Sequence, residues 1–133
     1  MTVEMNRVRE LLVKMIHHRQ RCEALIYAQS HRTLARSAYR FVKIEKVMIQ
    51  KMAMLLFKQD GEQFITAHNT GYDVIEFDDY NEMHAMNKSM LKDIKSLIKT
   101  TGDTNLTALV SYWLAALQIE NDEMHKHLPT SES

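Results

Sequence analysis

Four polar side chains interrupt otherwise apolar helical stripes: Arg19, Glu45, Asn87 and Glu120. A charge or amide facing a core is costly unless it is paired, neutralised or used, so the four together mark a buried polar layer. Three chemistries suit such a layer. An Arg19–Glu45 bridge, with Asn87 and Glu120 hydrogen-bonded beside it, would fix the register of the helices. Arg19 as a forked donor would suit a small anionic ligand in the bundle core. Glu45 and Glu120 would suit a di-metal carboxylate centre of the ferritin-like kind. That design takes Glu-x-x-His on two helices, and the nearest match here, Asp122-x-x-His125, faces mostly outward. An inward Arg19 would also repel the metal. The bridge is the expectation, with no metal and no cofactor; a ligand or metal site is the alternative.

The other reactive residue types give weaker signals. His17-His18 is expected on the side of its helix away from the apolar seam, and His125-x-His127 at a fraying helix end. No two histidines stand four apart on an inner face, the spacing that holds zinc from one helix. The single Cys22 rules out an intramolecular disulfide and any cysteine-based zinc cage. Glu76-x-x-Asp79 and Glu120-x-x-Glu123 have the look of magnesium-holding pairs in all-helical nucleotide pyrophosphatases, but their order and spacing differ. No glycine-rich phosphate loop or nucleophile elbow is present, and no Cys–His dyad is expected. The chain is therefore expected not to be an enzyme, and no catalytic residue is assigned.

A basic stripe is the stronger lead. Arg32, Arg36, Arg40 and Lys43 recur at helical spacing with Tyr39 beside them, and Lys14 and Arg21 add charge on the preceding helix. The expectation is a non-enzymatic regulatory or adaptor module that binds an acidic protein surface, the acidic half of a second copy in a homo-dimer included. Methionine-rich helices suit partner grooves. Met54, Phe57, Phe64 and Ile65 would extend the surface if exposed. The alternative is nucleic-acid binding by the same stripe, with steep salt dependence. The net charge of zero weighs against it.

Four long helices must position these residues. The first runs from near Thr2 to about Ala28, with a seam of Met5, Val8, Leu12, Met15, Arg19, Cys22 and Ile26. The apolar phase restarts at Leu34, which predicts a break, with Ser30 or Thr33 as the next cap. The second stripe is Leu34, Ala38, Phe41, Glu45, Met48, Met52 and Leu55, and Gly61 is expected to stop that helix. Residues 61–77 form a long connection, with a short helix over Glu62–His68 and a strand-like Val74–Phe77. Asp78 or Asp79 caps a third helix carrying Tyr80, Met83, Asn87, Met90, Ile94 and Leu97. Asp103 or Thr104 caps a fourth carrying Leu106, Leu109, Trp113, Leu117, Glu120 and Met124. In each antiparallel hairpin the polar pair is level: Arg19 with Glu45, and Asn87 with Glu120.

The fold class implied is all-α: an up-down-up-down four-helix bundle with a long connection between the second and third helices. It forms one domain over residues 1–128, with a disordered tail over 129–133. Only three glycines and one proline, Pro129, break the chain. The net charge of zero hides a segregation. Residues 1–58 hold twelve Lys and Arg against four acids, and residues 59–133 hold five against thirteen. The two halves are expected mainly to attract each other within the fold. No apolar run nears the ~20 residues of a membrane span. With the single cysteine and no signal-peptide core, that gives a cytoplasmic expectation.

Overall fold

The computed structural model describes residues 3–29, 32–69 and 77–128. They form four long helices and one short one: α1 (Val3–Ala28), α2 (Arg32–Phe57), α3 (Gly61–His68), α4 (Tyr80–Thr100) and α5 (Thr104–His125). No strand occurs among the described residues. Ser30, residues 70–76 and the tail 129–133 lie outside them, and with them most of the expected strand-like stretch. Among the described residues no helix is long and apolar enough to cross a membrane.

The helix ends follow local chemistry. Asp79 accepts from the Glu82 backbone N–H at 2.8 Å, while Glu82 Oε2 accepts from Asp78 N–H at 2.9 Å. Asp103 accepts from Leu106 N–H at 3.0 Å. Each aspartate satisfies a donor that the first helical turn leaves open. Gly61 is expected to stop α2, but the helix ends earlier, at Phe57, and Lys58 takes a left-handed backbone at φ 53°. Gly61 instead opens α3 at φ −58°. Its role is close approach, since a Cβ there would lie 2.8 Å from the backbone carbon of Ala53.

The long helices pack as a ring in which α1 neighbours α2 and α4, and α5 neighbours the same two. The strict up-down-up-down order is not what the contacts give. Gln29, just past α1, donates to the Asp78 carbonyl, and Tyr80 OH donates back to the Gln29 carbonyl. Further along, Lys14 meets Asp93 at 2.5 Å. The start of α4 thus lies beside the end of α1, so α2 and α4 run in the same direction. The cause is the connection, which travels back along the bundle before α4 begins. Its helix α3 is held on α1 by Arg9 over the Phe64 ring at 5.7 Å and by His17 Nε2 against the His68 carbonyl at 3.1 Å. Phe64 also stacks on Phe57.

The core is in two pieces. One apolar cluster joins Val8, Leu12, Met15, Met48, Ile49, Met52, Ile94, Leu106 and Leu117; the other joins Leu25, Leu34, Ala38, Phe77, Tyr80, Met83 and Met124. Buried polar groups of all four long helices lie between them: His18, Glu45, Asn87 and Asn121.

Candidate functional site: a buried polar layer and a basic outer face

The layer is built one helix at a time. On α1, His18 and Cys22 stand four residues apart, which puts both side chains on one face. His18 is 3% exposed and Cys22 is fully buried. His18 Nδ1–H donates to Glu45 Oε2 of α2 at 2.8 Å. Phe41 and Phe77 set ring edges against the imidazole at 6.0 and 5.9 Å. Cys22 Sγ lies 3.8 Å from His18 Nδ1, and its S–H donates to Asn87 Oδ1 of α4, also at 3.8 Å. Asn87 Nδ2 donates to Asn121 Oδ1 of α5 at 3.0 Å, and Asn121 Nδ2 reaches the His84 carbonyl at 3.5 Å. Polar contacts thus run without a gap from Glu45 through all four long helices. One atom stands out of the chain: Glu45 Oε1 is buried with no hydrogen-bond partner among the described residues.

The electrostatics centre on one ion pair. Burial by itself pushes His18 toward its neutral form, but the Glu45 carboxylate and the Cys22 sulfur together outweigh it, and the imidazolium is held well above its ordinary range. Burial pushes the Cys22 thiol up. At neutral pH Cys22 is therefore a thiol, and the charge facing His18 is that of Glu45. No cation other than His18 contacts Glu45 among the described residues.

Of the four residues expected in the layer, Glu45 and Asn87 are its centre. Arg19 is buried too but turns elsewhere, donating to Glu23 at 2.7 Å and to Asn69 Oδ1 at 3.2 Å. The expected Arg19–Glu45 bridge is replaced by His18–Glu45. Glu120 sits half-buried at the α2–α5 seam and accepts from Arg40 Nε at 2.9 Å, so its place beside Asn87 goes to Asn121. Both corrections have one cause. The expected partners were at the right level along the helices but one residue off, which turns a side chain by about 100°. His17 is half-exposed but His18 is not, because α1 buries a face wider than a two-position seam, Leu11, Ile16 and Leu25 included. The residues that sequence reasoning missed are therefore His18, Cys22 and Asn121. One signal pointed to the first two: a His-x-x-x-Cys spacing on α1 at the level of Glu45.

The basic residues divide into two groups. Lys14 pairs with Asp93 of α4, and Arg21, seven residues on, shares that flank, away from the outer face of α2. Arg40 is neutralised by Glu120. Arg32, Arg36 and Lys43 are exposed and make no ion pair among the described residues. They share the outer face of α2 with Tyr39 and Met54, which are 59% and 58% exposed. On α5, Ala108, Tyr112, Ala115 and Ile119 recur at spacings of four, three and four and are all exposed, Tyr112 by 69% and Ile119 by 66%. Compared with known proteins, the chain matches no family model, no curated protein and no solved structure.

Proposed function

We propose that the protein is a non-enzymatic binding module that takes an acidic protein partner on the outer face of α2, flanked by α5. The carrying observation is that Arg32, Arg36 and Lys43, which pair with no carboxylate among the described residues, surround exposed Tyr39, while α5 presents Tyr112 and Ile119 to solvent. Exposed aromatic and apolar side chains beside unsatisfied arginines are the makings of an interface centre, where Tyr and Arg are enriched. Large apolar groups exposed in a stripe along a helix are uncommon without a partner. Met54 borders a cleft of about 410 Å³ that also takes in Lys51, Lys58 and Ile65, and it extends the surface toward α3. Charge selects the partner class, because uncompensated guanidinium groups favour carboxylates in bidentate geometry.

The test is affinity capture from a native extract, with nuclease treatment, comparing the wild type with Arg36→Glu/Lys43→Glu. A protein retained through nuclease and lost on charge reversal is the expected result. Capture indifferent to the reversal removes the surface, and capture abolished by nuclease transfers it to a nucleic-acid partner. Arg40 is left intact in this variant, because reversing it would break its pair with Glu120.

A further inference from the structure

We propose that His18, Cys22 and Glu45 form a binding site for a single divalent transition cation of borderline softness, zinc being the best match. One nitrogen, one sulfur and one carboxylate oxygen from these residues all lie within 4.8 Å of one another, and all three residues are buried. Glu45 Oε1 supplies a second, independent observation: a buried carboxylate oxygen that no donor satisfies, on the carboxylate that faces His18.

The distances suit the assignment. Around a tetrahedral zinc with bonds of about 2.0–2.3 Å, ligand atoms sit about 3.3–3.8 Å apart. The Cys22 Sγ to His18 Nδ1 separation is 3.8 Å, already in that range. The His18 Nδ1 to Glu45 Oε2 separation of 2.8 Å is shorter because a proton bridges them. Entry of the cation replaces that proton and moves the carboxylate outward by about half an ångström. Asn87 Oδ1, 3.8 Å from Sγ, completes the set as an amide oxygen. Its orientation is fixed from behind, because its Nδ2 is committed to Asn121.

The charge balance explains how a dry interior tolerates the exchange. With a thiol, an imidazolium and a carboxylate, the layer is neutral overall. Binding removes one proton from His18 and one from Cys22, and the cation then faces one thiolate, one carboxylate and one neutral imidazole. Two protons leave, two positive charges arrive, and the layer is neutral again, so burial penalises neither state heavily. The donor set also selects the ion. Thiolate and imidazole disfavour magnesium and calcium, which take oxygen ligands, and favour zinc, cobalt or iron. A single carboxylate in the layer is too few for a di-metal centre of the ferritin-like kind.

Cobalt(II) tests the site, since the chain has one cysteine and a thiolate-to-cobalt band can report only Cys22. The full chain is refolded with one equivalent of Co²⁺ under a phosphine reductant, so that the buried site fills as it forms. The expected result is a near-ultraviolet charge-transfer band with tetrahedral d–d absorption, at one cobalt per chain, bleached by an equivalent of zinc. Cys22→Ser should abolish the charge-transfer band with the helical circular dichroism kept. Asn121→Ala, which only orients Asn87, should weaken cobalt binding about tenfold. Glu45→Gln should weaken it further. The double variant His84→Ala/His125→Ala, at an outer histidine pair 5.0 Å apart, should change nothing. Absence of the band in folded wild type, or an equal band in Glu45→Gln, overturns the site.

Discussion

At the scale of the residue, the His18–Glu45 pair decides how stability depends on pH. Facing His18 are Cys22 from α1 and the Phe41 and Phe77 rings, so among the described residues Glu45 is the one charge in contact with it. The folded state raises the affinity of His18 for its proton. The stability gained is therefore complete below the ordinary histidine value of about 6.5 and is lost as pH rises through the raised one. His84 has the opposite sign. Burial, then His125 and Lys88, lower its affinity, so its contribution is lost as pH falls below about 6.5. Urea denaturation between about pH 5 and pH 9 should show a maximum near the ordinary value. His18→Gln should remove the fall that begins just above the ordinary histidine value, leaving only the later one from the raised Cys22 thiol, and His84→Gln should remove the acid one; an unchanged alkaline fall in His18→Gln would refute the pairing. Glu45→Gln should cost about 2–3 kcal/mol below pH ~6.5, where the variant must strand or neutralise the imidazolium, and less above it. That a layer existed was legible from Glu45 and Asn87 alone. Its partners were not, because His18 and Arg19 are equally level with Glu45 and only the rotation of α1 chooses between them.

At the scale of the element, legibility followed how sharply each helix separates its faces. The stripes read for α2 and α4 match the buried residues, with Leu55 the one exposed exception. In both helices charged residues hem the apolar stripe on both sides. By contrast α1 and α5 carry apolar residues on several sides, so a seam drawn through them has no unique phase. On α5 the expected stripe holds at Leu106, Leu117 and Met124, which are buried, but Val110 and Asn121 are buried in place of Leu109, Trp113 and Glu120. The short helix in the connection was expected over Glu62–His68 and is found as Gly61–His68. The role of Gly61 was misread, because close approach to Ala53 is a tertiary fact that no local pattern carries. Two glycine variants separate these roles by thermal denaturation. Gly61→Ala should cost about 1–3 kcal/mol through overpacking against α2. Gly102→Ala, with nothing within 4 Å of its added Cβ, should be neutral or stabilise by up to about 1 kcal/mol. Similar losses in the two would show that α3 does not dock tightly. Asp79→Ala and Asp103→Ala should each cost about 1 kcal/mol by opening a helix start.

At the scale of the whole molecule, the charge segregation of the chain serves two ends. Lys14–Asp93 and Arg40–Glu120 join the basic first half to the acidic second half, while the outer face of α2 keeps cations that no acid among the described residues answers. Exposed pairs contribute only about 0–1 kcal/mol each, so raising salt should change stability little while weakening partner capture strongly. The same experiment in which salt leaves capture intact would count against the electrostatic half of the binding proposal. Helix count and the starts of α4 and α5 were legible because their aspartate caps are local. The direction of α4 was not, because it depends on where the connection carries the chain, and no residue type encodes that. The central claim is that His18 and Glu45 form a buried ion pair at the junction of all four long helices. The most direct measurement is an imidazole nitrogen-15 NMR titration of the wild type and Glu45→Gln. Among the seven histidines, His18 should stay protonated well above the ordinary range in the wild type and lose that proton early in the variant. A His18 that titrates together with the exposed histidines, unaffected by Glu45→Gln, would contradict the account.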